Sequence, residues 1–88
     1  MRLIIAILHN TDGDPALHAL TEAGLGVTLI ASTGGFLRHG NATLLIGVQD
    51  EQVSAAIQIL HEHCPPPVNP GLKRATVFVL KVDQFEQI

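Results

Sequence analysis

The chain has 88 residues, of which 47% are hydrophobic, and its eight acidic and five basic side chains give a net charge of −3. This length predicts one small domain, residues 1–88, and the acidic balance argues against a non-specific binder of nucleic-acid polymers. The single cysteine, Cys64, excludes an intrachain disulfide and suits a reducing compartment. The opening apolar run is too short to span a membrane. We therefore expect a cytoplasmic protein with no membrane partner.

The first half of the chain predicts a strand and then a helix. The apolar run Arg2–Leu8 is typical of a strand, and the polar segment His9–Gly13 is expected to form a turn. Asp14 suits the N-cap of a helix, and Pro15 suits its first position. Gly24 suits the residue that follows the end of the helix.

Three further strands and a second helix are predicted beyond Gly24. The second helix is expected to be capped by Asp50 and to end near His63, because its apolar residues recur at i, i+3, i+4 and i+7. A run of three prolines then stops it, and a short terminal turn is expected after the last strand. The strands are predicted over Gly26–Thr33, Ala42–Val48 and Ala75–Val82.

This order of elements, βαββαβ, predicts an α+β ferredoxin-like fold. Right-handed crossovers give a four-stranded antiparallel sheet with both helices on one face. The strands are apolar along most of their length. In a monomer, the sheet face without helices would therefore expose hydrophobic side chains to water. We therefore expect an oligomer that covers this face.

A glycine-rich loop between the second and third strands is a candidate anion site. Gly34 and Gly35 allow backbone N–H groups to approach a ligand, and Arg38 adds a guanidinium suited to phosphate. Lys73 and Arg74 precede the last strand and could join Arg38 across a subunit boundary. Alternatively, the loop could be a simple hairpin turn, and the two cations could protect a strand end from edge pairing.

Metal and enzyme sites are not favoured by the sequence. His61 and His63 lie two residues apart on a helix and point in nearly opposite directions, so they cannot share one ion. Ser32 and Ser54 lack the context of a nucleophile elbow, and Cys64 carries no sign of activation. We therefore expect a protein that is not an enzyme and has no metal or cofactor.

Three stretches together resemble the PII-like cyclic di-AMP receptor family. They are the opening run Leu3-Ile4-Ile5-Ala6-Ile7, the motif Thr33-Gly34-Gly35-Phe36-Leu37-Arg38-x-Gly40-Asn41, and the last strand with its tail over residues 75–87. The similarity covers nearly the whole chain. It implies a homotrimer in which three clefts between subunits each hold one cyclic di-AMP.

The resemblance also implies which residues bind the nucleotide. Thr28, Asn41 and Gly47 match family residues around an adenine, and Gln87 matches a polar residue that closes the pocket. Gly35, Phe36 and Leu37 match the loop that offers backbone amides and apolar cover. Arg38 belongs to the same motif.

Two departures from the family pattern bear on the ligand and on signalling. The loop before the last strand, long in the family and thought to signal, is here a short proline-rich bridge over residues 64–74. Gly24 and Gly26 stand where better-known members carry Asn and Arg at the rim of the pocket. Losing that arginine removes a charge-assisted hydrogen bond of about 1.5–3 kcal/mol.

Three functional hypotheses follow. The first is a non-enzymatic signalling receptor for cyclic di-AMP, and the second is a PII-like trimer that binds another adenine nucleotide, AMP, ADP or ATP. The third is an interaction scaffold that has lost nucleotide binding, or a relative linked to divalent cations. The downstream partner protein is not identified by the sequence.

Overall fold

A computed structural model describes residues 1–33, 41–64, 75–86 and 88 of the chain. The glycine-rich loop 34–40, most of the proline-rich bridge and Gln87 lie outside the described residues. The elements in chain order are β1 (Arg2–His9), α1 (Asn10–Glu22), β2 (Gly26–Thr33), β3 (Asn41–Val48), a 3-10 turn (Asp50–Gln52), α2 (Val53–His63) and β4 (Ala75–Lys81).

The four strands form one antiparallel sheet in the order β2-β3-β1-β4. This order places the two consecutive strands β2 and β3 side by side and the first strand between β3 and the last strand, as the ferredoxin-like arrangement requires. The predicted fold is thus confirmed. β2 has the predicted bounds, whereas β1, β3 and β4 each differ from prediction by one residue at one end.

One face of the sheet packs against both helices and forms the core. Side chains alternate between the two faces of a strand, and alternate residues of β1 and β3 are fully or almost fully buried. Both helices contribute to the same cluster of buried side chains, which is Ile4, Ala6, Leu8, Ala16, Leu20, Leu25, Leu44, Ile46, Val48, Ala56 and Leu60.

The first helix begins five residues earlier than the sequence predicts. It starts at Asn10 with His9 as its N-cap, so His9–Gly13 is not a turn, Asp14 is not the cap, and Pro15 lies inside the helix. The added turn is held by packing, since Asp12 and Gly13 are buried. Gly24 follows the helix with a φ of 85°, which confirms its predicted place after the helix end.

The second helix also begins differently, although it ends at His63 as predicted. A 3-10 turn precedes it, and the Oε1 atom of Gln52 accepts a hydrogen bond from the N–H of Gln49 at 2.9 Å. Asp50 therefore does not cap this helix. Its carboxylate instead contacts the start of β1.

The second face of the sheet, which we call the open sheet face, is covered by neither of the helices in the described residues. Strand pairing brings Ile5 opposite both Phe78 and Leu45, and Leu3 opposite Leu80. Phe78 is 49% exposed and Leu80 46% exposed. This face is therefore a largely apolar surface that a single chain leaves in contact with water, as the sequence predicted.

Candidate functional site

A pocket of about 610 Å³ lies at one end of the sheet. Because neighbouring strands are antiparallel, the starts of β1 and β2 and the ends of β3 and β4 meet at this end. The described residues that line the pocket come from these four places: Met1, Arg2, Leu3, Gly26, Val27, Thr28, Leu45, Gly47, Val82, Gln84 and Phe85. Its volume falls within the range of about 300–1,000 Å³ that is usual for small-molecule sites.

Two glycines lie opposite each other in the wall of the pocket that β2 and β3 form. Gly26 of β2 pairs in register with Gly47 of β3. A Cβ added to Gly26 would be 4.0 Å from the carbonyl oxygen of Gly47, and one added to Gly47 would be 3.6 Å from Met1 Cε. The paired glycines therefore leave room above the sheet, and a flat ligand could approach their backbone closely.

Polar groups with hydrogen-bonding capacity stand beside this bare backbone. Thr28 is exposed and pairs with Leu45, so its hydroxyl adjoins an apolar strand. Gln84 offers an amide with two donors and one carbonyl oxygen from the opposite wall. An apolar lining with a few such groups is the usual composition of a site for an organic ligand.

The segment after β4 forms the remaining wall. The N–H of Val82 donates a hydrogen bond to the carbonyl oxygen of Met1 at 3.2 Å, which extends the pairing of β4 with β1 beyond Lys81. Phe85 follows and is 63% exposed, although it also lines the pocket. An aromatic ring in this position can stack on a planar base.

An ionic cluster holds the start of β1 beside the pocket. Asp50 Oδ1 lies 3.2 Å from Arg2 Nε and 3.3 Å from the amino nitrogen of Met1. The hydrogen bond from the Met1 amino group, helped by the charges of that group and of Arg2, lowers the pKa of the Asp50 carboxyl, and slight desolvation opposes the effect. Asp50 is exposed and is not among the lining residues.

The structure brings together two of the residues proposed for nucleotide binding. Thr28 and Gly47 both line the pocket. Asn41 lies at the opposite end of β3, where it pairs with His9 and Thr33. Five residues of strand lie between Asn41 and Gly47, which corresponds to a distance of about 20 Å. In one chain these two residues therefore cannot hold the same base.

The other proposed residues cannot be placed. Gly35, Phe36, Leu37, Arg38 and Gln87 lie outside the described residues, as do the cations Lys73 and Arg74.

Several lining residues were not predicted from the sequence. Met1, Arg2 and Leu3 looked only like the start of a strand, and Gln84 and Phe85 looked only like a terminal turn. The antiparallel pairing of β1 with β4 brings the two ends of the chain together. That pairing follows from the predicted topology, so the fold was the signal that could have identified them.

The histidines form no metal site in the part of the chain that the structure describes. No group of three His, Cys, Asp or Glu side chains there is arranged to hold an ion. His61 is exposed, and His63 Nδ1 lies 2.9 Å from the carbonyl oxygen of Ile59. Within the described segments, no helix is long and apolar enough to cross a membrane.

The fold is that of a ferredoxin-like α+β protein, and the described residues form a pocket of small-molecule size at one end of its sheet. A sequence model of the family described as "Cyclic-di-AMP receptor" matches residues 1–66, three quarters of the chain. The chain belongs to the cyclic-di-AMP receptor family, and the resemblance noted from its motifs is confirmed.

A solved structure is similar over the whole chain. It is the crystal structure of a protein of unknown function from Pediococcus pentosaceus ATCC 25745, with 32% sequence identity and a TM-score of 0.79. The match covers 99% of this chain and 96% of that one. Only a few per cent of either compared chain therefore lies outside the match.

Proposed function

We propose that this protein is a non-enzymatic signalling receptor that binds cyclic di-AMP in clefts between the subunits of a homotrimer. Membership of the cyclic-di-AMP receptor family supports a nucleotide-binding signalling role. The observation that carries the proposal is the pocket beside Thr28 and Gly47, two residues whose positions match family residues around an adenine.

The lining of the pocket suits an adenine base. The edge of adenine needs paired donors and acceptors, which the Thr28 hydroxyl, the Gln84 amide and the backbone beside Gly47 can supply. Leu3 and Leu45 offer apolar contact to the face of the base, and Phe85 offers a ring for stacking. Asn41, Gln87 and the loop residues Gly35, Phe36, Leu37 and Arg38 complete the proposed site.

The open sheet face supports association of copies of this chain. Phe78 and Leu80 are each nearly half exposed there, and Leu3 and Leu45 belong both to this face and to the pocket. A second copy that packs on this face would therefore adjoin the pocket. Such an arrangement would let Asn41 of one subunit serve a ligand held by Thr28 and Gly47 of another.

A thermal-shift series tests the ligand. We would compare cyclic di-AMP, cyclic di-GMP, AMP, ADP and ATP, since a ligand at 100 times its Kd adds about 2.7 kcal/mol to folded-state stability. Thr28→Ala and Asn41→Ala should each reduce the shift with cyclic di-AMP. Thr43→Ala is the matched control, because Thr43 lies on β3, the strand of Asn41, but does not line the pocket.

The outcomes separate the three hypotheses. A shift selective for cyclic di-AMP, reduced by Thr28→Ala and unchanged by Thr43→Ala, supports the proposal. A shift with AMP, ADP or ATP alone would replace cyclic di-AMP by a linear adenine nucleotide, which the missing rim side chain at Gly26 would explain. No shift with any nucleotide would favour a scaffold without nucleotide binding.

A further inference from the structure

We infer that the Met1 side chain contacts the bound nucleotide: its thioether lies over the bare backbone of Gly47 and turns to pack against the base when the nucleotide binds. The inference rests on the proposed function, because it assigns one side chain of the same site. The motifs did not identify Met1, which precedes the apolar run of β1 and resembles an ordinary strand end.

Strand pairing places Met1 on the same side of the sheet as the pocket. Ile4 is buried on the helix-covered face, and side chains alternate between the faces of a strand, so Met1 and Leu3 take the open sheet face. The N–H of Val82 donates to the carbonyl oxygen of Met1 at 3.2 Å, which keeps Met1 in the pairing one residue before β1 begins. Leu3 pairs with Gly47, so Met1 is the diagonal neighbour of Gly47 across the two strands.

The contact of Met1 with Gly47 is the central observation. A Cβ added to Gly47 would lie 3.6 Å from Met1 Cε, and no other atom of the described residues, chain neighbours aside, comes within 4 Å of that position. Gly26, which pairs with Gly47, has no side chain either. Within the described part of the chain, the Met1 methyl group is therefore the cover over the Gly47 backbone.

A base that approaches this backbone must meet the Met1 methyl group. Carbon atoms pack at about 3.5–4.0 Å, so a flat ring laid on Gly47 would occupy the layer that Met1 Cε holds. The ring and the methyl group cannot share that space, and the side chain must turn aside. Because Met1 and Gly47 line one pocket, the displaced thioether remains beside the ring and packs against it.

Met1 is suited to this movement, since its backbone is held in place and its side chain lies outside the core. The backbone accepts the hydrogen bond from Val82, and the amino nitrogen lies 3.3 Å from Asp50 Oδ1. Met1 is 40% exposed and does not belong to the cluster of buried core side chains. A methionine side chain has three rotatable bonds and a polarisable sulfur that contacts aromatic rings favourably. It can therefore turn without disturbing the core.

The methyl signal of Met1 gives a direct test, because the chain has a single methionine. We would isotope-label the methionine methyl group and record its NMR signal during titration with cyclic di-AMP. Packing against the face of a base should move the methyl proton signal upfield, and nuclear Overhauser contacts should join the methyl group to adenine protons. Ala55→Met supplies the matched control, since Ala55 is exposed on α2 and does not line the pocket. The methyl signal added at that position should not move.

Oxidation of the thioether tests its contribution to affinity. Hydrogen peroxide gives one oxygen atom to the sulfur, which becomes a polar sulfoxide, and is itself reduced to water. Cys64→Ser serves as the parent protein, so that the peroxide has no thiol to attack. Oxidation should raise Kd for cyclic di-AMP about two- to tenfold, as expected for loss of a favourable contact of sulfur with an aromatic ring.

The same data distinguish this inference from the proposed function. If calorimetry shows that the wild type binds no adenine nucleotide, both fail. If the wild type binds cyclic di-AMP while the Met1 methyl signal shows no Overhauser contact with adenine, only the role of Met1 is overturned, even where the signal shifts, because a shift alone reports an indirect movement. Equal Kd values before and after oxidation would overturn that role as well.

Discussion

Gly13 of α1 lies so close to Ala42 of β3 that a Cβ added to Gly13 would be 2.8 Å from the Cβ of Ala42. Cβ atoms essentially never approach this closely. Both residues are buried, and Ala42 is at the start of a strand that is paired on both sides. The first turn of α1 therefore rests directly on the sheet, and a glycine is needed at the point of contact.

Gly13→Ala should destabilise the protein despite the better helix propensity of alanine. The propensity gain is about 1 kcal/mol, whereas overpacking costs about 1–3 kcal/mol, so we expect a net loss near 1 kcal/mol in urea unfolding. Ala42→Gly should relieve the clash. In a double-mutant cycle, Gly13→Ala should therefore cost less unfolding free energy when Ala42→Gly is also present. Strictly additive effects of the two substitutions would contradict the close approach of Gly13 to Ala42.

Gly24→Ala should also lower stability, but for a reason that involves the backbone alone. Gly24 has a φ of 85°, and an added Cβ would meet no atom within 4 Å. The left-handed conformation costs about 1–2 kcal/mol in a residue other than glycine. Asn, which tolerates this region better, should cost less than Ala at this position. Equal unfolding midpoints for the wild type and Gly24→Ala would contradict the left-handed backbone conformation of Gly24.

Asp50→Asn should reduce the thermal stability at neutral pH and have no effect in strong acid. The pKa of Asp50 is lowered in the folded chain by the Met1 amino group and Arg2. The stabilisation from the Asp50 carboxylate is therefore complete above the pKa that Asp50 has in the unfolded chain. It is lost as the pH falls through the lower pKa that Asp50 has in the folded chain. Melting curves of both proteins from pH 7 to pH 2 should converge at the acid end. High salt should narrow the difference at pH 7.

Phe78→Asp should dissociate the proposed homotrimer. Phe78 lies opposite Ile5 on the open sheet face, and a carboxylate in a dry interface would carry a large desolvation cost. Sedimentation should give three times the 9.4 kDa chain mass for the wild type and a smaller species for the variant. Ser54→Asp, which adds the same charge to an exposed residue of α2, should remain a trimer. A wild-type mass of one chain would defeat the proposal.

Gly26→Arg should strengthen the binding of cyclic di-AMP. Gly26 lines the pocket, and a Cβ there would lie 4.0 Å from the carbonyl oxygen of Gly47, so a side chain fits. A guanidinium beside a phosphate adds a charge-assisted hydrogen bond of about 1.5–3 kcal/mol, or roughly ten- to a hundredfold in Kd. Gly26→Ala supplies the control for the added Cβ. Equal Kd values for both variants would argue that no phosphate lies near this edge.

The strands and the end of each helix could be predicted from the sequence. Apolar runs such as Gly26–Thr33 determine where strands form, because the sheet must bury them, and Gly24 ends α1 through its backbone freedom. The start of α1 could not be predicted in this way. Asp14 and Pro15 form a strong local start signal, yet burial of Asp12 and the contact of Gly13 with β3 extend the helix toward its N-terminus. Tertiary packing outweighed the local preference.

The candidate site was predictable only in part. Thr28 and Gly47 were identified by their positions in the family pattern, and both line the pocket. Arg2 and Phe85 were missed because each is far from them along the chain and is brought near only by strand pairing. Asp50 was assigned to a helix cap from local sequence, whereas its ionic partners are 48 and 49 residues away.

The register of β2 against β3 shifts between Leu29 and Ala31, so Ile30 is an extra residue in an outer strand of the sheet. Leu29 and Ile30 are both exposed, and a flat edge carrying them would be a template for uncontrolled pairing with other chains. A bulge twists the edge and breaks its regular ladder of hydrogen bonds. The irregularity thus opposes growth of an endless fibre along this strand, and it leaves closed assembly through the sheet face as the less hindered route.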